Sequence, residues 1–284
     1  MSLGALPPLR ESLDAHDLTA KKTFGQHFLL DLNITRKIVR LAGPLNDQVV
    51  IEVGPGPGGL TRALLEAGAR VVAVEKDPRF LPLLAELAGA AQGRLTVIEA
   101  DALHVDEAAL AAAAGGGEAW SVVANLPYNV GTALLLKWLT RSQPPALMAL
   151  MFQKEVAERI AAPVNAEAYG RLSVIAQAVC QTALVMDLPA RAFTPPPKVA
   201  SAVVRLTPRP GRPAPSELAA LEAVTGAAFG QRRKMLRSSL KTLGGEALCA
   251  AAGIAADRRA ETVPVEGFRD LARALMATGW PRDR

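Results

Sequence analysis

Before residue 207 the chain alternates short apolar runs with longer stretches in which leucines recur three and four positions apart. Residues 48–53 form a β-branched run that ends in a Gly-rich turn, and Leu60, Leu64 and Leu65 then share one helical face. Residues 70–74 predict a second strand and 78–87 a second helix. Runs at 95–98, 121–124 and 147–152 continue the series with helices between them. Strands this continuously apolar are buried on both faces, so the alternation predicts a parallel sheet covered by helices on both sides. Past Tyr169 a helix leads to two more strands, near 182–186 and 201–206, which brings the expected sheet to seven strands. The fold class is therefore α/β, with a Rossmann-like sheet.

The pattern breaks at Thr207-Pro208-Arg209-Pro210-Gly211-Arg212-Pro213-Ala214-Pro215, which is too proline-rich to continue a strand or helix. After it the periodicity is helical only, over 218–229, 233–243 and 268–276. Two domains are expected: a catalytic α/β domain at 1–207 and a small all-helical one at 208–284. Alanine runs near Ala111 and Ala250 lie among leucines and read as helix rather than disorder.

Composition narrows the class. No apolar run in the 284 residues approaches the roughly 18 to 20 needed to cross a membrane. Residues 1–16 include Pro7, Pro8, Arg10, Glu11 and Asp14 and lack an apolar signal core. Cys180 and Cys249 are far apart, without metal or redox spacing, and each is expected as a buried free thiol. The expectation is a soluble cytoplasmic protein that binds no metal. Charge is uneven: residues 208–284 carry thirteen Lys and Arg against eight Asp and Glu, whereas 1–207 carry nineteen of each. The whole excess of +5 sits in the tail.

Candidate chemistry gathers at the strand ends. The first strand runs into Glu52-Val53-Gly54-Pro55-Gly56-Pro57-Gly58-Gly59, where an open α/β sheet binds its ligand. Glu75 ends the second strand, 21 residues after Gly54, and suits a carboxylate holding ribose hydroxyls. Such a loop serves a dinucleotide and S-adenosylmethionine equally, and a tight structural turn also explains the glycines. Pro55 and Pro57, however, remove two N–H groups that a pyrophosphate would use. Asp101, after the third strand, can accept from an adenine amino group, although an acid there can also cap a helix. Asn125-Leu126-Pro127-Tyr128 follows the fourth. The amide oxygen of Asn125 and a nearby main-chain carbonyl could accept the two N–H bonds of a planar exocyclic amine and turn its lone pair toward an electrophile, with Tyr128 stacked on the base. Alone, the tetrapeptide is equally an ordinary Asn-Pro turn.

With these features in register the chain resembles the ribosomal RNA adenine N6,N6-dimethyltransferases, and more specifically the bacterial small-subunit (16S) group. The resemblance runs from about Thr19 to the C-terminus and includes Lys22-Thr23-Phe24-Gly25-Gln26-His27-Phe28-Leu29 and Phe193-Thr194-Pro195-Pro196-Pro197-Lys198-Val199. It implies an S-adenosylmethionine cofactor held by His27, Leu29, Gly54, Glu75, Asp101 and Asn125, with His27 standing where the family usually has Asn. It implies a reaction at Asn125, Leu126, Pro127 and Tyr128, with Phe193 on the far face of an extruded adenine. The alternative for Phe193 is a core strand position, and Phe24 and Phe28 are expected in the core. The substrate implied is small-subunit rRNA in an immature 30S particle, dimethylated at two adjacent adenosines near its 3′ end by a monomeric enzyme with a role in subunit maturation.

Arg233, Arg237 and Lys241 recur every four residues beside Leu236, Leu240 and Leu243, which predicts one helix with a cationic face for RNA phosphates. A solvated helix face is the alternative. Arg171 and Lys198 are further candidate RNA contacts. Two rival functions remain at this level: an NAD(P)-dependent dehydrogenase, and an RNA-binding assembly factor making little use of catalysis. Relatives of the family that methylate large-subunit rRNA share the core, and the 193–199 stretch and basic tail favour the small-subunit group.

Overall fold

The structure, a computed structural model, describes residues 2–20, 26–117 and 119–281. Its nine strands among those residues are β1 (Phe28–Leu29), β2 (Val49–Val53), β3 (Arg70–Glu75), β4 (Leu95–Glu99), β5 (Ser121–Asn125), β6 (Leu147–Gln153), β7 (Cys180–Leu188), β8 (Phe193–Thr194) and β9 (Ser201–Pro208). The helices around the sheet begin with α1 (Leu9–Ala15), α2 (Leu32–Ala42), α3 (Gly59–Glu66), α4 (Leu81–Ala90), α5 (Glu107–Ala113) and α6 (Gly131–Leu139). Those that follow are α7 (Lys154–Ala161), α8 (Arg171–Val179), α9 (Pro215–Gly230), α10 (Leu236–Ser239), α11 (Gly245–Ala251) and α12 (Val265–Ala277).

Seven strands form one sheet in the order β4, β3, β2, β5, β6, β9, β7. The first five are parallel, and β9 runs antiparallel to β6, with Met151 opposite Val203. All five residues of β2 are buried, as are the first four of β5, which is why these strands read as unbroken apolar runs. The chain winds outward from β2 to β4, returns to β5 on the other side of β2, and winds outward again. Right-handed crossovers on the two halves place their helices on opposite faces and open a crevice where the winding reverses, between β2 and β5. Glu75 and Asn125 are the last residues of β3 and β5, so both point their chemistry at the carboxyl edge beside that crevice.

The apolar pattern left two features unseen. A two-stranded antiparallel ladder joins β1 to β8, with Phe28 opposite Thr194 and Leu29 opposite Phe193. Two residues are too few to display a period. Helix α1 at the N-terminus buries Leu9 and Leu13, too short a stretch to stand out from the prolines around it.

The basic tail also departs from expectation. Residues 233–243 do not form one helix: α9 ends at Gly230, a turn follows, and α10 begins only at Leu236, succeeded by a 3₁₀ turn at Lys241–Leu243. The reason lies in backbone pairing. Met235 is extended and bridges Arg259, while the N–H groups of Leu236 and Arg237 donate to the carbonyls of Arg258 and Ala256. Those donors serve a neighbouring segment, so the helix cannot run through them. Leu236 and Leu240 are buried as the stripe implied, and Arg233, Arg237 and Lys241 are exposed, but on a broken backbone.

By compactness the chain divides into two units. One comprises Met1–Lys137, Pro145–Ala157 and Leu184–Leu206; the other comprises Trp138–Pro144, Glu158–Ala183 and Thr207–Arg284. The second unit therefore takes α8 together with the tail. Its core includes Tyr169, Phe229 and Phe268, with ring centroids 6.0 and 5.4 Å apart in turn, and the Tyr169 hydroxyl donates to the Val263 carbonyl at 2.9 Å. Cys180 and Cys249 are buried free thiols. Among the described residues no helix is long and apolar enough to cross a membrane.

Candidate active site

The glycine loop after β2 turns through Gly54, Gly56 and Gly58, all at positive φ (66, 52 and 82°), a region that side chains disfavour. Its N–H groups face inward: Gly54 donates to Val74, Gly58 to Pro55, and Gly56 to the carboxylate of Glu75 at 3.0 Å. With Pro55 and Pro57 contributing no donor, the loop offers little to a pyrophosphate. A side chain on Gly59 would meet the Leu29 carbonyl at 2.5 Å, so the helix start is pressed against the strap that carries β1.

Between this loop and the ends of β3, β4 and β5 lies a cavity of about 250 Å³. His27, Leu29, Gly54, Glu75, Asp101 and Asn125 all line it, as do Leu126, Pro127 and Tyr128. Every position expected to hold a cofactor thus meets in one space. Glu75 is 5% exposed and accepts from the Asp77 N–H at 2.8 Å as well as from Gly56. Burial pushes its carboxyl up, while those two amides pull it back. Asp101 accepts from the Lys76 ammonium at 2.7 Å through Oδ2 and from the Leu103 N–H at 3.0 Å through Oδ1. The hydrogen bond from Lys76, with that from the Leu103 N–H, holds it below the usual carboxylate range. Each of its oxygens keeps a second lone pair for an adenine amino group.

Asn125 is oriented by its own amide: Nδ2 donates to the His27 carbonyl at 3.0 Å, which leaves Oδ1 as a fixed acceptor. The Pro127 carbonyl is taken by the N–H groups of Val130 and Gly131 at the entry to α6. Tyr128 hydrogen-bonds Ser201 Oγ at 2.6 Å, and burial raises its phenol. The His27 ring stacks on Tyr128 at 5.4 Å and 30°, with Nδ1–H donating to the Pro195 carbonyl at 2.8 Å.

Phe193 requires a correction. It is 3% exposed, sits opposite Leu29 in the β1–β8 ladder and is absent from the cavity wall, so it belongs to the core rather than to an aromatic sandwich. A ladder two residues long holds its side chain inward, and the ring beside Tyr128 is His27 instead. Phe28 is a core residue as expected, edge-on to Phe80 at 5.4 Å. Phe24 and the rest of Lys22–Gly25 lie outside the described residues. Arg171 and Lys198 are both exposed, Arg171 at the start of α8 and Lys198 after β8.

Glu52 was missed. It lines the cavity at 1% exposure, its Oε2 has no hydrogen-bond partner, and burial pushes it up to about 8, with Thr61 pulling the other way and Glu75 adding to the rise. The available signal was an acid inside an otherwise apolar strand. Two carboxyls, a loop without free phosphate donors and an unpartnered buried oxygen fit an adenosyl ligand that also carries cationic groups. Among the described residues no cluster of His, Cys, Asp or Glu is placed to hold a metal.

Comparison with known proteins gives the family. A family model described as ribosomal RNA adenine dimethylase matches residues 17–276. The chain is 65% identical over 290 residues to the ribosomal RNA small subunit methyltransferase A of Phenylobacterium zucineum, covering 100% of each. It is 66% identical over 257 residues to the protein of that name from Caulobacter vibrioides, covering 90% of this chain and 98% of that one. Among solved structures, a dimethyladenosine transferase from Plasmodium falciparum superposes with a TM-score of 0.73 at 22% identity, covering 89% of this chain and 98% of that one. The 23S rRNA methyltransferase ErmE does so at 0.67 and 25%, covering 88% and 99%. The chain belongs to the ribosomal RNA adenine dimethylase family and is an S-adenosylmethionine-dependent enzyme acting on ribosomal RNA.

Proposed function

We propose that the protein dimethylates N6 of two adjacent adenosines near the 3′ end of small-subunit rRNA. The observation that carries this reading is the Asn125 amide, fixed through Nδ2 by the His27 carbonyl at the edge of the cofactor cavity. The bound cofactor supplies an electrophilic sulfonium methyl. Glu75 would accept from its ribose hydroxyls and Asp101 from its adenine amine, with His27, Leu29 and Gly54 forming the rest of the wall. Asn125 Oδ1 accepts one N–H of the target amine. Because the Pro127 carbonyl is engaged in the turn, the Leu126 carbonyl is the second acceptor. Held this way, the nitrogen presents its lone pair to the methyl group, and orientation supplies most of the rate. As the N–C bond forms, the S–C bond would break to leave the neutral thioether of S-adenosylhomocysteine, and the N6 proton, acidic by then, would pass to water without a strong base. Tyr128 provides the stacking face for the extruded base.

The helical tail from residue 208 is assigned to RNA binding through Arg233, Arg237 and Lys241, with Arg171 and Lys198 as further contacts. The substrate is small-subunit rRNA within an immature cytoplasmic particle, engaged by a monomer, which gives the enzyme a part in subunit maturation. Incubation of immature small subunits with isotope-labelled cofactor, followed by mass spectrometry of digested rRNA, tests this. Two labelled dimethyladenosines in one short fragment are expected. No label, or label in any nucleoside other than dimethyladenosine, overturns the assignment.

A further inference from the structure

We propose that Gln26, Asp77 and Arg79 form a latch that positions the Asn125 amide through the main chain at His27. This inference rests on the role given to Asn125 above. Asp77 is 2% exposed and lies two residues beyond the ribose-binding acid. Its Oδ1 accepts from Arg79 Nε at 2.9 Å, and its Oδ2 accepts from Arg79 Nη2 at 2.5 Å and from Gln26 Nε2 at 2.9 Å. Arg79 reaches further, donating from Nη1 to the Thr19 carbonyl at 3.1 Å and from Nη2 to Gln26 Oε1 at 3.4 Å. The adjoining residue, His27, gives its carbonyl to Asn125.

The polar contacts are therefore continuous from one end of the cofactor cavity to the other. Glu75 accepts from the Asp77 N–H, Asp77 holds Gln26, and the next carbonyl along holds the reactive amide. One peptide unit separates the anchored side chain from the carbonyl that orients Asn125, so a shift at Gln26 is carried directly to Asn125. On the other side the strap is closed by Nδ1–H of His27 on Pro195 and by the β1–β8 ladder. A simple turn cap is the rival explanation for Asp77, whose Oδ1 also accepts the Arg79 N–H at 3.2 Å. A cap has no need of the Gln26 amide or of the second arm of Arg79. A charge this buried, with three side-chain hydrogen bonds, is held in one geometry, as an anchor must be. Gln26 and Asp77 are positioning residues that act through Asn125: Asp77 lies off the cavity wall, and Gln26, although it borders the cavity, commits its amide to Asp77.

The test is a cycle of Gln26→Ala and Asn125→Ala in the full-length protein, read by single-turnover methylation of immature small subunits and by calorimetric binding of S-adenosylhomocysteine. Gln26→Ala is expected to slow methyl transfer about tenfold, in line with the cost of small misplacements. S-adenosylhomocysteine affinity should change by no more than about threefold, because Glu75 and Asp101 are untouched and the Gln26 amide is bound to Asp77 and Arg79; a larger loss would make Gln26 a cofactor contact and overturn the latch. On an Asn125→Ala background the same substitution should have no further effect, since both act on one amide. Wild-type turnover in Gln26→Ala, or an equal loss in both backgrounds, overturns the latch. Where Gln26→Ala does not accumulate folded, Gln26→Leu keeps the volume without the amide and serves in its place. Wild-type turnover in Asn125→Ala alone would instead overturn the reading of the active site, so the two failures are separable.

Discussion

Glu52 is a carboxyl in a strand whose other four residues are valine and isoleucine. Burial raises it to about 8, well above the ordinary carboxylate value of 4.5, so between those limits the folded protein keeps a proton that the unfolded chain releases. Its contribution to stability is therefore full below about pH 4.5 and is lost as pH rises through about 8. Glu52→Gln mimics the protonated form and removes this dependence. Thermal melts of cofactor-free protein should place the variant above wild type by several degrees near pH 8 and close to it near pH 5. An equal offset at both values would place the proton elsewhere. Asn125→Ala should leave S-adenosylhomocysteine affinity within a few fold while lowering kcat by about two or more orders of magnitude. Glu75→Ala should weaken cofactor binding by about 1 to 3 kcal/mol, the cost of a lost charge-assisted acceptor. It should also lower the melting temperature, because the N–H groups of Gly56 and Asp77 lose their partner. An unchanged dissociation constant would leave Glu75 a structural role alone. Glu75, Asp101 and Asn125 were legible because each follows an apolar run, and the end of a buried parallel strand is where such a fold exposes chemistry. Glu52, Lys76 and Gln26 were not, since their significance comes from neighbours distant in sequence. Phe193 was misplaced for the same reason: its partner, Leu29, is 164 positions away.

At the scale of elements, the central strands were visible because they are short and buried on both faces, whereas the edge strands β4 and β7 are partly exposed. The basic segment misled because leucine spacing reports which side chains go inward and says nothing of backbone donors. Leu236 and Leu240 are inward as expected, yet the N–H of Leu236 belongs to Arg258. The cations consequently ride on a turn, a four-residue helix and a 3₁₀ turn. Their exposure means that replacing Arg233, Arg237 and Lys241 with glutamine should leave folding intact. If each neutralises one phosphate, the slope of log affinity against log salt for immature subunits should become shallower by about 2 to 3. Filter binding across a salt series measures this. A wild-type slope would return the segment to a solvated face and move the RNA surface toward Arg171 and Lys198.

For the molecule as a whole, the proline-rich linker marks a true change in local pattern, with β9 ending at Pro208 and α9 beginning at Pro215. What no local pattern reveals is that Trp138–Pro144 and Glu158–Ala183 join the tail in the second compact unit. Helix α8 reads like any helix between strands, and its partners lie tens of residues downstream. A chain ending at Leu206 should therefore bind S-adenosylhomocysteine poorly and aggregate, because Tyr169 and the buried face of α8 lose their cover. Light scattering and calorimetry on that chain would check this, and a monodisperse product with wild-type affinity would refute it. The hydroxyl of Tyr169 meets a carbonyl 94 positions later. During synthesis from the N-terminus, Tyr169 must wait for Val263 to leave the ribosome, so the second unit closes only near the end of translation, and a chain halted early exposes an aromatic face for chaperones to shield.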